Sequence, residues 1–231
     1  MVSEKAIPDA QGIFDGVAEN YERPAQLFGL GQYRYWHREL AGIVAAAEPA
    51  VVLDMCTGTG LIAEEIRRRT PATIVGADLS MAMLRSAQGR GVDAAFVQAD
   101  ARRPPFASAG FDAVVFSYLL RYVDDVPGTL TGLGSLARDG GMMASLEFGV
   151  PKGLWKPAWQ LYTRALMPAG LAITSPGWRR VGGFLGRSIS DFYQRWPVER
   201  QVDAWRACGF VDVQTRTLSL GGGLLIWGTR G

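Results

Sequence analysis

The segment Asp54-Met55-Cys56-Thr57-Gly58-Thr59-Gly60 holds the residue types of this 231-residue chain most suited to chemistry. It follows a short apolar run and opens an amphipathic stretch. Glycines at such a turn let the backbone approach a ligand closely. Gly-x-Gly alone is a weak signal, because residues 58–63 also fit the Gly-x-Gly-x-x-Ala form of a dinucleotide-binding turn. Two further carboxylates, Asp78 and Asp100, close the next two apolar runs. In an open α/β sheet those positions face one crevice beyond the carboxyl ends of the strands.

Charge decides which ligand the crevice suits. A dinucleotide would set its pyrophosphate against the turn, where Asp54 repels it and no Lys or Arg stands within the loop. S-adenosylmethionine carries no phosphate but does carry an ammonium and a sulfonium, which a carboxylate suits. Asp78 is placed to accept both ribose hydroxyls and Asp100 to meet the adenine amino group. Any one of the three could merely cap a following helix. All three in register with the glycine loop favour a cationic adenosyl ligand. Cys56 reads as a small residue packed against that ligand rather than a redox centre, since the other cysteine, Cys208, is far off in sequence.

The elements that must position these residues follow from hydrophobic patterning. Apolar runs at 50–54, 73–78, 94–100, 111–117 and 141–148 alternate with helical stretches near 60–70, 80–89 and 127–138. Ser80 is the expected N-cap of the second, and Gly140-Gly141 the expected left-handed end of the third. Residues 33–48 read as an earlier helix stopped before Pro49. A Trp-, Pro- and Gly-rich stretch at about 150–197 interrupts the alternation, before a helix near 198–208 and closing strands at 210–216 and 222–227. The expected fold is one α/β domain over 1–231, a doubly wound, mostly parallel seven-stranded sheet. It would carry an N-terminal helical cap at about 1–48 and a helical lid insertion at about 150–197.

Composition narrows the class. The chain is 48% hydrophobic and 20% charged, which suits a folded domain rather than disorder. Its net charge is +2, and its densest basic cluster, Arg67-Arg68-Arg69, closes a helix, so a nucleic-acid partner is not expected. One histidine, His37, cannot build a His-rich metal site, and no metal is expected. Two cysteines point to a reducing compartment, and the start Met1-Val2-Ser3-Glu4-Lys5 lacks the apolar core of a signal peptide. No run of eighteen apolar residues occurs. The expectation is cytoplasmic, with a membrane-surface contact left open; oligomeric state is not readable.

These residues resemble the ubiquinone/menaquinone C-methyltransferase (UbiE) family of class I S-adenosylmethionine-dependent enzymes. Phe14-Asp15-Gly16-Val17-Ala18-Glu19-Asn20-Tyr21-Glu22 is like the family's F-x-x-V-A-x-x-Y-D, and the likeness continues through Gly31 to Trp36, the glycine loop and Ala77-Asp78-Leu79-Ser80-Met81-Ala82-Met83-Leu84. Gln98-Ala99-Asp100-Ala101 follows; Ser117-Tyr118-Leu119-Leu120-Arg121 looks like S-F-G-L-R, Leu146-Glu147-Phe148 like L-E-F, and Phe184-Leu185-Gly186-Arg187-Ser188-Ile189 like Y-L-x-x-S-I. The resemblance implies cofactor contacts at Thr59, Asp78, Asp100, Ala101 and Ser117, to which Asp54, Gly58, Gly60 and Leu79 are added. It also implies that Tyr21, Asp78 and Arg121 act near the methyl acceptor through a bound water. The chain departs from the family where Tyr122 replaces asparagine after Leu-Arg, where Thr57 replaces the first glycine of G-G-T-G, and where Val181-Gly182-Gly183 replaces D-S-Y. The stretch 190–197 also looks longer than the family's.

The implied reaction is transfer of a methyl group to a ring carbon of a lipophilic acceptor, a reduced, demethylmenaquinol-like quinone. Arg121 would stabilise the developing phenolate and Tyr21 hydrogen-bond the same oxygen. The plainer reading of Arg121 is an ion pair with Asp124 or Asp125. Trp155, Trp159 and Tyr162 share helical spacing, which predicts a face packed on the core; a greasy lid or a headgroup-level contact is the other reading. The rival functions are an O- or N-methyltransferase for a soluble secondary metabolite, a nicotinamide oxidoreductase, and a non-catalytic cofactor-binding module.

Overall fold

Near-continuous Val, Ile, Leu and Ala runs bury both faces of a strand, and such strands pair in parallel. The computed structural model describes Gly12 and residues 15–18, 21–29 and 31–231. Residues 1–11 of the expected cap, with the start Met1-Val2-Ser3-Glu4-Lys5, and Phe14, Glu19 and Asn20 of the N-terminal motif lie outside the described residues. Strands β1 (Val51–Met55), β2 (Thr73–Asp78), β3 (Ala95–Gln98), β4 (Phe111–Ser117) and β5 (Ala137–Phe148) run parallel. Strand β7 (Gly223–Arg230) pairs antiparallel with β5 on one side and with β6 (Phe210–Leu218) on the other. The seven-stranded order is β3-β2-β1-β4-β5-β7-β6, the expected doubly wound, mostly parallel α/β sheet.

Helix α1 (Glu22–Phe28) precedes the helices that cover both faces. On one, α2 (Gln32–Ala46) and α3 (Leu61–Arg67) set Trp36, Leu40, Val44, Ile62 and Ile66 against Val52, Ile74 and Val115. On the other, α5 (Val126–Gly134) and α9 (Val198–Ala207) bring Leu130, Leu133 and the fully buried Trp205 against Leu53, Val114 and Phe116. A third cluster joins Val17 and Ala18 to Met83 of α4 (Met81–Gly89) and to Met167, Leu171, Trp178 and Val181 of the later helices. It ties the chain start to the segment after β5.

Local chemistry explains most boundaries. Ser80 caps α4, its hydroxyl accepting from the Met83 amide at 3.1 Å. The Arg67–Arg69 cluster ends α3 and pairs with Glu64, Glu65 and Asp93. Strand β1 lies one residue later than expected, its first amides and that of Ala50 held by the Asp112 carboxylate, so Asp54 sits inside the strand. Strand β3 stops at Gln98, two residues before Asp100. The helix expected over 127–138 ends instead at Gly134, where the Phe210 ring leaves no room for a side chain. Gly140 is therefore no helix cap. It takes φ +71° within β5, where the register jumps from Phe111–Ala137 to Ala113–Met142 and the extra residues bulge out.

The segment after β5 forms α6 (Trp155–Leu161), a π turn (Tyr162–Leu166), α7 (Met167–Ala172) and the long α8 (Pro176–Arg195). The aromatic face of α6 does not pack on the core as its spacing predicted. No residue of α6 is buried; Leu154 is 96% and Trp155 55% exposed, while Trp159 and Tyr162 are half-buried. The π turn follows this helix. Only from Tyr162 onward does the chain reach the Met167–Trp178 cluster, so the preceding turns project beyond it.

The order of strands reverses between β1 and β4, which opens the crevice of this sheet class at their carboxyl ends. Both ends carry non-glycine residues in left-handed backbone, Cys56 at φ 61° and Tyr118 at φ 55°. Such strain concentrates where a site must be shaped. The glycine loop is left-handed too, at Gly58 and Gly60. A Cβ on Gly60 would lie 3.1 Å from the Ala87 Cβ, whereas one on Gly58 would meet nothing. Gly60→Ala should therefore lower stability by about 1–2 kcal/mol in urea unfolding and Gly58→Ala by less, since the second carries only the backbone penalty. Equal losses would show that the contact with α4 is not what Gly60 answers to.

Candidate active site

The loop after β1 is lashed to the end of β2. The Thr57 amide donates to the Ala77 carbonyl at 3.0 Å and the Gly58 amide to Asp78 Oδ2 at 2.8 Å, while Asp78 Oδ1 accepts from the Ser80 amide at 2.9 Å. Asp78 thus organises the turn and keeps lone pairs free, as a carboxylate offers about four acceptor positions. Burial raises its carboxyl above the usual range, against the pull of those amides. Asp54 is wholly buried behind the loop, with Oδ2 accepting from Thr57 Oγ1 at 2.6 Å, and burial pushes it up to about 7. Asp100 lies outward, both its oxygens held by Arg102 at 2.6–3.0 Å, and that guanidinium keeps its carboxyl below the ordinary range.

The structure brings these acids to one place. The half-buried Cys56 thiol is pushed well up, first by desolvation and then by the charges of Asp78, Asp54, Glu147 and Asp100. Four carboxylates therefore surround the end of β1. Gly58, Thr59 and Gly60 lie in the loop after β1, Leu79 follows β2, Ala101 lies three residues past β3 and Ser117 ends β4, with Thr59, Ala101 and Ser117 buried. The nearest cation to the loop, Arg90, comes from outside. Its Nε donates to the Thr59 carbonyl at 2.9 Å, and its fork pairs with Glu64 and with Glu22.

Beside the acids lies an apolar cavity walled by Tyr21, Tyr33, Trp36, Tyr118, Arg121, Tyr122, Phe148 and Trp178, with Pro24, Ala25, Gly29, Met167, Leu171, Val181 and Leu185. Tyr21 stacks on Trp178 with ring centres 5.6 Å apart and accepts from the Tyr33 hydroxyl at 3.5 Å. Burial raises the phenols of Tyr21, Tyr33 and Tyr118, so at neutral pH they are donors and not bases. Tyr21 is near enough to feel both Arg121 and Asp78, so the three residues assigned to the acceptor stand at one junction. His37, behind Tyr33 at 4.1 Å, is buried and held neutral, its pKa lowered to about 3.

Arg121 is 7% exposed on a 3-10 turn, Leu120–Tyr122, just past β4. Its guanidinium lies 4.8 Å from the Tyr122 ring centre, 4.9 Å from that of Phe148 and 5.8 Å from that of Tyr118. Its charged partner is neither Asp124 nor Asp125; Asp125 caps α5 through the Gly128 amide. The partner is Glu147, 3.7 Å away and equally buried. Sequence reasoning quoted Glu147 only as part of Leu-Glu-Phe, and passed over Tyr33, Tyr118, Phe148 and Trp178 as site residues. Most of these lie inside the quoted motifs, which was the available signal. Arg121 Nε and Nη1 and the Tyr118 hydroxyl are buried without a hydrogen-bond partner among the described residues.

Asp54 and Glu147, each pushed up to about 7 by burial, hold protons in the folded protein that the unfolded chain releases near pH 4. Their contribution is therefore full below pH 4 and is lost as pH rises through 7. Asp54→Asn, which can still accept from Thr57, should flatten this decline and leave the variant at pH 8 more stable by at least about 1 kcal/mol. Urea unfolding at pH 5 and pH 8 checks it; a decline as steep as in the parent would remove Asp54 from the account.

A family model described as the ubiE/COQ5 methyltransferase family matches residues 2–229. The chain is 33% identical over 232 residues to the ubiquinone/menaquinone biosynthesis C-methyltransferase UbiE of Desulfotalea psychrophila, covering 96% of this chain and 91% of that one. It is 32% identical to the demethylmenaquinone methyltransferase of Streptomyces griseus, over 94% of this chain and 93% of the relative. Among solved structures it is similar to magnesium protoporphyrin IX methyltransferase from Synechocystis, crystallised with S-adenosylhomocysteine, with a TM-score of 0.54 at 14% identity over 85% and 84% of the two chains. A match across nearly the whole chain, and relatives of nearly equal length, make this protein a member of the ubiE/COQ5 methyltransferase family.

Proposed function

We propose that the protein transfers a methyl group from S-adenosylmethionine to a ring carbon of a reduced quinone or a closely related lipophilic phenol. The observation that carries this reading is the aromatic cavity whose buried polar atoms without a hydrogen-bond partner, Arg121 Nε and Nη1 and the Tyr118 hydroxyl, suit a phenolic oxygen. The crevice beside it fits the cofactor's chemistry, with converging carboxylates for an ammonium and a sulfonium and no cation within the loop. Asp78 would hold the ribose, with Gly58, Thr59, Gly60, Leu79, Ala101 and Ser117 as the wall; Asp54 would support the loop through Thr57, and Asp100 would reach the adenine only by sharing its carboxylate with Arg102.

When bound, the cofactor supplies an electrophilic methyl group. A ring carbon becomes nucleophilic as an adjacent hydroxyl ionises, and Arg121, charged at every relevant pH, stabilises the oxyanion in a cavity that excludes water. Tyr21, kept protonated by burial, donates to the same oxygen, while Asp78 at the junction can orient a water that removes the ring proton. Stacked rings fix the acceptor plane, which matters because an in-line displacement is sensitive to placement. Arg121→Ala should lower turnover of labelled S-adenosylmethionine with a demethylmenaquinol by a hundredfold or so while leaving S-adenosylhomocysteine affinity nearly intact by calorimetry. Product mass spectra that place the methyl on oxygen, or on a soluble amine, would move the protein to the rival class.

The acceptor's tail lives in a bilayer, and the segment over 150–197 is the face we assign to it as a lid and transient lipid contact. No helix of the described residues is long and apolar enough to cross a membrane. Between 149 and 190 the chain carries Lys152, Lys156, Arg164, Arg179, Arg180 and Arg187 and no carboxylate, although the whole chain is only +2. Beside these cations Leu154, Trp155, Leu161, Leu166 and Ile173 are more than half exposed. A basic face with apolar projections suits an anionic interface, at about 1 kcal/mol per cation close to the surface. The protein should sediment in part with vesicles containing phosphatidylglycerol, less in high salt, and less after Trp155→Ser with Leu154→Ser. Equal recovery with and without vesicles would remove the lipid contact and leave the proposed chemistry standing.

A further inference from the structure

We propose that Glu147 is a positioning residue for the reaction, holding the Arg121 guanidinium against the acceptor cavity without touching the substrate. The inference rests on the reading of Arg121 given above. Glu147 is 2% exposed near the end of β5, is absent from the cavity wall, and reaches past the end of β4. There Oε1 accepts from the Leu120 amide at 2.9 Å, with the Leu119 amide adding to the hold, and Oε2 stands 3.7 Å from Arg121 Nη1. One carboxylate thus fixes both the turn that carries the arginine and the arginine's charge. The neighbouring Phe148 supplies a ring 4.9 Å from the same guanidinium.

The geometry leaves Arg121 oriented but unsatisfied. Nη2 donates to the Tyr122 hydroxyl at 3.3 Å, while at 3.7 Å the Glu147 contact is electrostatic, and Nε and Nη1 have no hydrogen-bond partner among the described residues. A tighter pairing would spend the same donors an acceptor oxyanion needs. No pairing would leave a buried cation without compensation and the turn without its clamp. The separation is what a group needs if it is to steer the guanidinium and still yield to a developing phenolate.

The groups facing Glu147 are Arg121, Tyr118 at the end of β4, Cys56 at the end of β1, and Tyr193 on α8. Burial raises Tyr118, Cys56 and Tyr193, so all three stay neutral through the physiological range, and Arg121 stays charged. Glu147, raised by burial and drawn back by Arg121 to about 7, is the member of this set that changes charge near neutrality. Asp54 titrates in the same range but stands at the cofactor loop, so saturating S-adenosylmethionine separates the two effects.

The test is Glu147→Gln, whose amide oxygen can still accept from Leu120, beside Arg121→Ala in the same assay. With saturating cofactor, Glu147→Gln should lower kcat about tenfold to a hundredfold, change the S-adenosylhomocysteine Kd less than twofold, and abolish the acid limb of the kcat–pH profile near pH 7. A variant that melts with the parent and keeps both its kcat and its acid limb overturns the proposal. A variant whose kcat falls only in proportion to its folded fraction, with the limb unmoved, also overturns it, because that is the behaviour of a structural clamp. Full activity in Arg121→Ala would instead refute the reading of Arg121 itself.

Discussion

A largely buried guanidinium organises the half of this protein that holds the aromatic cavity. Burial works against the charge of Arg121, and Tyr122, the Glu147 carboxylate and Tyr21 outweigh that penalty and keep its pKa raised, while the rings of Tyr122, Phe148 and Tyr118 surround the guanidinium. Each compensating group constrains a piece of backbone. Glu147 clamps the 3-10 turn and Phe148 ends β5. Tyr118 turns the chain off β4 in left-handed backbone, its amide donating to the Leu146 carbonyl at 2.8 Å. The ends of two neighbouring strands are thereby fixed by the solvation demand of one side chain.

The opposite sign governs the cofactor half. Carboxylates crowd the end of β1, and desolvation lifts Asp54 and Asp78, for which no salt bridge is seen among the described residues, while Asp100 escapes through Arg102. A fold would ordinarily avoid such crowding, since like charges in a poorly solvated place are costly. A ligand bringing two positive groups relieves it. The two halves are thus complementary: one is short of negative charge and the other of positive charge, and Tyr21 sits where they meet.

Most of the fold was legible because parallel strands announce themselves as apolar runs and each βα unit is local. The limits of legibility were equally physical. Helix α5 ends at Gly134, on which the Phe210 ring packs, and no window around 127–138 contains that contact. The face of α6 points outward, and the π turn that follows it is not encoded by spacing alone. Asp54, Asp78 and Asp100 read as equivalent strand-end acids, yet one is interior to its strand, one binds the loop and one is tied to a neighbouring arginine. The plainer reading of Arg121 named the nearby Asp124 and Asp125, whereas its partner Glu147 is 26 positions away in the chain and adjacent only through the pairing of β4 with β5.

Arg90 connects parts of the molecule that otherwise share little. Its fork grips Glu22, the residue after Tyr21, while its Nε grips the carbonyl of Thr59 in the glycine loop. The helix that begins at Glu22, whose Pro24 and Ala25 line the aromatic cavity, and the glycine loop are thus fastened to the same guanidinium, as two doors might be hung on one post. Taking away that one guanidinium would loosen the glycine loop and the first turn of the cavity's helix in a single step, a linkage carried by a side chain and not by the sheet.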